Sequence, residues 1–148
     1  MTDAAGPAVA EVVRASWPDA EIRSELLPDE EDRIAGLLKT LSENGAALVL
    51  TVGGTGLSPR DRTPEATRRV LDREAPGIAE AIRSMGSEAT PFAWLSRGVS
   101  GLRGTTLIVN LPGSERGARQ SVISIVPILK HALEVAAGGQ SHPVSQAK

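Results

Sequence analysis

Ala46-Ala47-Leu48-Val49-Leu50-Thr51-Val52-Gly53-Gly54-Thr55-Gly56 is the stretch on which the reading of the fold turns. Its first five residues form an unbroken apolar run of strand length. Such a run, with no polar residue alternating through it, predicts a central strand buried on both faces. The glycines that follow end the strand and open a loop. Thr63-Pro64-Glu65 then reads as a helix start: Thr63 as the cap, Pro64 in the first turn, Glu65 at the positive end of the helix dipole. Strand, glycine loop and helix in this order are one unit of an α/β domain.

The same reading extends outward. Upstream, Gly6 to Trp17 sets Val9, Val12, Val13 and Ala15 at mainly helical spacing. Ala20 to Leu26 alternates, with Ile22, Ser24 and Leu26 on one face and Arg23 and Glu25 on the other, which predicts a strand ended by Pro28. Asp29 to Ser42 places Ile34, Leu37, Leu38 and Leu41 along one helical stripe, and Asn44-Gly45 stops it. Downstream, Pro76-Gly77 separates the helix opened by Thr63 from a short one at Ile78 to Met85. Thr90-Pro91 caps a brief turn through Leu95, and Thr105 to Val109 is a second β-branched strand. It runs into Asn110-Leu111-Pro112-Gly113 and a last helix with Val122, Ile123, Ile125 and Val126, where Pro127 predicts a kink. Strands alternating with helices predict a three-layer α/β/α domain with a mostly parallel sheet over residues 1–138, and a flexible tail from Gly139 to Lys148.

Composition narrows the function. The 148 residues carry 16 Lys+Arg against 18 Asp+Glu, a net charge of -2, which argues against general nucleic-acid binding. No cysteine is present, so disulfide scaffolds, thiolate metal sites and cysteine nucleophiles are excluded. No apolar run approaches the ~20 residues that cross a bilayer, and no basic-then-apolar leader is visible, so a cytoplasmic protein without membrane contact is expected.

In an α/β sheet the ligand belongs outside the carboxyl ends of the strands. Two loops qualify, Gly53 to Asp61 and Asn110 to Gly117, each followed by a helix. Backbone N–H groups of such loops can approach phosphate. The glycines alone are equally those of a flexible turn. They form neither a P-loop, since no Gly-Lys-Ser/Thr follows, nor a dinucleotide fingerprint, since the third glycine is missing. Asp61, between Arg60 and Arg62, reads either as a solvated charge or as a magnesium ligand facing phosphates. Asp29 reads as a helix cap or as a second carboxylate for the same hard cation. His131 and His142 lack metal-ligand spacing.

The run from Thr51 to Ala66, containing Gly53-Gly54-Thr55-Gly56-Leu57-Ser58-Pro59-Arg60-Asp61, is more specific than its glycines. It resembles the signature of the MogA/MoaB family, the molybdopterin adenylyltransferases of molybdenum cofactor synthesis. The resemblance continues through Asp3-Ala4-Ala5-Gly6-Pro7-Ala8, Leu27-Pro28-Asp29-Glu30, Pro76-Gly77 with Glu80 and Arg83, Thr90 to Arg97, and Asn110-Leu111-Pro112-Gly113. It implies a molybdopterin-binding-domain fold and transfer of AMP from ATP to the terminal phosphate of molybdopterin, with pyrophosphate released. Asp29 and Asp61 would be catalytic carboxylates at a Mg²⁺–phosphate centre. Gly53, Gly54, Thr55 and Gly56 would cradle phosphate, with Arg60 beside them. Ser96 and Arg97 would lie at the pterin-side pocket, and Asn110, Pro112 and Gly113 would form a second ligand loop. The resemblance also implies a homotrimer, or a hexamer of two trimers, working with molybdenum-insertion and molybdopterin synthase partners. The aliphatic stretch Val122 to Leu133 offers a face for such assembly.

Two departures from the family pattern stand out. The family opens with an apolar strand and a flexible loop before Asp-x-x-Gly-Pro, whereas only Met1 and Thr2 precede Asp3, so the first strand is expected to be missing from the chain as given. Gly113-Ser114-Glu115-Arg116 also lacks the family's proline after Leu-Pro-Gly and sets a carboxylate near the implied phosphate site. A noncatalytic molybdopterin-binding or assembly paralogue is the alternative reading. A relative of the nucleotide-hydrolysing domain of competence-damage-type proteins ranks behind it.

Overall fold

The computed structural model describes residues 3–138. The tail expected at Gly139 to Lys148, with His142, lies outside the described residues. Among the described residues, five α-helices and four strands follow the order α1 (Ala5–Ser16), α2 (Glu31–Glu43), β1 (Leu48–Val52), α3 (Thr63–Val70), β2 (Arg73–Glu74), α4 (Pro76–Gly86), β3 (Ser100–Arg103), β4 (Thr106–Leu111) and α5 (Glu115–Ala136). A 3₁₀ turn, Pro91–Leu95, precedes β3; as expected, the Thr90 hydroxyl accepts from Phe92 N at its start.

Alternation along β4 builds the three layers. Leu107, Val109 and Leu111 enter one core with Ala5, Val9 and Val12 of α1, Ile78 and Ile82 of α4, and Val122, Ile125 and Leu129 of α5. Ile108 points the other way, into a core with Ile34, Ala35 and Leu38 of α2 and Ala66 and Val70 of α3. Leu48, Leu50 and Val52 of β1 follow the first set and Val49 the second. Most of each helical stripe read from the sequence therefore packs on the sheet, but Ala15 and Ile123 are exposed.

The sheet order is β1-β4-β3-β2. It is mixed, not mostly parallel: β1 and β4 are parallel, while β3 pairs antiparallel with both β4 and β2. The antiparallel turn is a two-residue hairpin in which Arg103 opposes Thr106. Gly104 has φ +58° and Thr105 has a negative φ, the pattern of a type II′ turn, whose twist suits a hairpin. Gly104-Thr105 just ahead of the strand-like run at 106–109 was the available signal for a hairpin, and so for β3.

Two strand expectations are corrected. Residues 46–50 do not form the centre of the sheet. β4, with all six residues buried, takes that place, while every residue of β1 is only half-buried and β1 pairs with β4 alone among the described residues. A continuous apolar run reports helices on both faces of a strand, not ladders on both edges. Ala20 to Leu26 is not a strand at all. Its alternation defines two faces, but no ladder partner lies beside it among the described residues, and Leu26 is 80% exposed. α5 continues through Pro127. No helix of the described residues is long and apolar enough to cross a membrane.

Candidate functional site

Parallel pairing of β1 with β4, Val52 opposite Leu111, delivers both glycine-bearing loops to the same sheet edge. The Gly53 N–H donates to the Leu111 carbonyl (3.0 Å), extending the ladder one step into the loops. Beyond it the backbones touch: a Cβ on Gly113 would lie 3.1 Å from Gly53 Cα. Gly53 and Gly54 have φ of +95° and +70°, the left-handed region open to glycine at little cost. The Gly54 carbonyl accepts from Thr63 N (3.1 Å), so the loop folds directly onto the start of α3. Thr63 is thus the first helical residue and not the cap; Arg62 occupies the cap position, and no side chain caps this helix.

Asp61 lies inside this turn. Its Oδ2 accepts from Ser58 N (3.1 Å), and the Asp61 N–H donates to the Ser58 carbonyl (2.9 Å). The carboxylate rests against Gly56, where a Cβ would come within 2.8 Å of Oδ2. Arg60 is exposed at the rim, its N–H directed to Ser58 Oγ (3.3 Å). Asp29 is exposed on the chain entering α2 and is not its cap, since Glu30 holds that position without a side-chain bond. The start of α2 is nevertheless tied to the loop. Glu31 accepts from Arg62 Nε (3.1 Å) and Nη2 (2.7 Å), next to Asp61 in sequence. No group of three or more metal-ligating side chains occurs among the described residues. A Mg²⁺ ion would therefore be held by one or two carboxylates and by substrate phosphates, a common arrangement for this ion.

Asn110 is 2% exposed and its side chain is fully committed to protein. Its Oδ1 accepts from Val99 N (3.0 Å), and its Nδ2 donates to Thr51 Oγ1 (2.8 Å) and Thr67 Oγ1 (3.0 Å). One side chain thereby joins β4, β1, α3 and the segment before β3. It anchors the strand that leads into the second loop, where Pro112 is half-buried and Gly113 exposed. The Ser114 hydroxyl caps α5 by accepting from Gly117 N (3.0 Å), and Glu115 and Arg116 follow in the exposed first turn.

Ser96 and Arg97 approach the glycine loop from the third side. The Arg97 N–H donates to the Thr55 carbonyl (2.8 Å), and its guanidinium bonds Gly56, Asp61 and Glu65. Arg83 braces the same segment from α4, donating to the carbonyls of Ser96 (3.2 Å) and Gly98 (2.8 Å). The Ser96 hydroxyl accepts from Gly98 N (3.2 Å). Glu65, read from the sequence only as a dipole-favouring residue, is the counter-charge of Arg97. The hydrogen bond from Arg97 holds its carboxyl below the ordinary carboxylate range, against an opposing effect of burial. The glycine loop, Asp61, Arg97 and the Asn110–Gly113 loop thus meet in one place, with Asp29 joined to it through the start of α2.

Comparisons with known proteins show the family and the fold. Residues 1–131 match the family described as a probable molybdopterin binding domain. The fold superimposes on the molybdopterin biosynthesis enzyme MoaB of Thermus thermophilus with a TM-score of 0.86 and 51% identity, over 93% of this chain and 87% of that one. The molybdopterin adenylyltransferase of Helicobacter pylori strain J99 is 36% identical over 92% of this chain and 78% of its own length. The molybdenum cofactor synthesis protein cinnamon of Drosophila melanogaster is 37% identical over 90% of this chain, which spans only 22% of that longer protein.

Proposed function

This chain belongs to the molybdopterin-binding-domain family, and from that premise we propose that it acts in molybdenum cofactor biosynthesis, transferring AMP from ATP to the terminal phosphate of molybdopterin. The observation that carries this reading is the convergence of two glycine-bearing loops at the carboxyl ends of paired strands, the first of which holds the Asp61 carboxylate within its own turn. In the reaction a phosphate oxygen of molybdopterin attacks the α-phosphorus of ATP, the bond to the pyrophosphate oxygen breaks, and pyrophosphate leaves. The protein's work is to align two polyanions and offset their charge. Backbone N–H groups of Gly54, Thr55 and Gly56 and of the neighbouring Gly113 are suited to phosphate oxygens, and Arg60 adds charge at the rim. Asp61, with Asp29, supplies hard oxygen donors that suit Mg²⁺, which when bound would offset charge on the departing pyrophosphate.

The test is direct: purified protein is incubated with α-labelled ATP, Mg²⁺ and molybdopterin. Labelled adenylylated pterin and an equal amount of unlabelled pyrophosphate are expected. Binding of molybdopterin without any AMP transfer would replace this reading with the noncatalytic one.

We also propose that the chain works as a homotrimer, or as a hexamer of two trimers. Ile123, Ile128 and Val135 remain exposed on α5 and support association through that helix. Light scattering at tens of micromolar should give a mass of three or six chains; monomer alone would refute it.

A further inference from the structure

The Arg97 guanidinium has five N–H donors, and bonds to protein engage four of them. Nε donates to the Gly56 carbonyl (2.8 Å), Nη2 to the Asp61 carbonyl (2.7 Å) and to Glu65 Oε1 (3.5 Å), and Nη1 to Glu65 Oε2. With its own N–H on the Thr55 carbonyl, residue 97 grips the loop at Thr55, Gly56 and Asp61 and reaches the first turn of α3 at Glu65. The backbone carbonyls it holds belong to the same loop residues that present the Asp61 carboxylate. We propose that Arg97 is a positioning residue, which with Glu65 as counter-charge sets the shape of the Gly53–Asp61 loop, and not a cation that binds substrate phosphate.

Two opposing expectations follow for Glu65. A phosphate-binding arginine competes with its own carboxylate, so removing the negative charge would strengthen binding of an anion. A clamp depends on that carboxylate, so the same change loosens the loop and weakens binding. Lysine at position 97 keeps the charge but cannot form the planar fork that spans two carbonyls and a carboxylate.

Glu65→Gln and Arg97→Lys are therefore compared with the wild type in two measurements. Amide hydrogen exchange without substrate should show the Asp61 and Thr63 N–H groups exchanging at least about tenfold faster in both variants, with the β4 amides unchanged. Calorimetry with ATP and Mg²⁺ should show both variants binding roughly tenfold more weakly. ATP binding by Glu65→Gln as tight as wild type or tighter, or unchanged loop exchange in both variants, overturns the proposal. The affinity arm rests on the proposed use of ATP. If the wild type itself binds none, that reading fails while the exchange arm still decides the clamp.

Discussion

Gly53 and Gly113 meet backbone against backbone where the two loops leave the sheet, and a Cβ on Gly113 would press to 3.1 Å from Gly53 Cα. This contact sets the spacing of the two loops, because each glycine lies one or two residues beyond the paired ends Val52 and Leu111. Substitutions here test whether close approach, and not general flexibility, is what the glycines provide.

Gly54→Ala should be the most damaging of these changes. Its Cβ would fall 2.2 Å from Thr63 Oγ1, at a φ that L-residues avoid. Overpacking and backbone strain together are expected to cost about 2–4 kcal/mol, read from urea midpoints. Adding Thr63→Ala removes the colliding hydroxyl and should recover part of the loss, whereas Thr63→Ser should recover little. Gly113→Ala should cost less, because its contact is 3.1 Å.

Asp61→Asn preserves the shape of the side chain and an acceptor for Ser58 N–H but removes the charge. If the carboxylate serves at a Mg²⁺–phosphate centre, AMP transfer should fall by roughly 10²–10³ while the melting temperature changes little. Chelation of divalent cations should abolish wild-type transfer. A folded Asp61→Asn protein with undiminished turnover would remove Asp61 from the reaction.

The Arg97–Glu65 pair predicts an acid-side dependence of stability. Glu65 titrates below its ordinary value in the folded chain, so the unfolded chain binds its proton first as pH falls past about 4.5. The pair's contribution is fully present above that pH and is lost as pH falls through the lowered native value. The melting-temperature gap between wild type and Glu65→Gln should stay level from about pH 7 to about pH 5 and narrow below about pH 4.5. A gap that widens on acidification would contradict the pairing.

Asn110 should matter to stability before it matters to any ligand. Asn110→Ala removes three hydrogen bonds at a buried position and leaves Val99 N–H unpaired, an expected loss of about 2–4 kcal/mol. Asn110→Asp keeps the acceptor but puts a carboxylate against two threonine hydroxyls in the core. Chemical denaturation should find it at least as unstable as the alanine variant near neutral pH.

The order of the helices, most of their buried faces and the position of the glycine loop were legible in the sequence because each follows from neighbours within a turn or two. Ile34, Leu38 and their partners share a face because a helix repeats every 3.6 residues, and Leu107, Val109 and Leu111 do so because a strand repeats every two. Partnership across the chain leaves no such trace. The alternation of Ala20 to Leu26 and the β-branched run of Thr105 to Val109 both read as strands, yet of the two only the second found ladders on both sides. Asn110 is 59 residues from Thr51, and Arg97 is 32 from Glu65. A single side chain's hydrogen-bonding capacity does not say which distant residue will meet it. The tertiary structure alone decided that β1 lies at an edge of the described sheet, that β3 turns back on β4, and that Arg97 holds the loop, because each depends on which backbones packing brings within about 3 Å of one another.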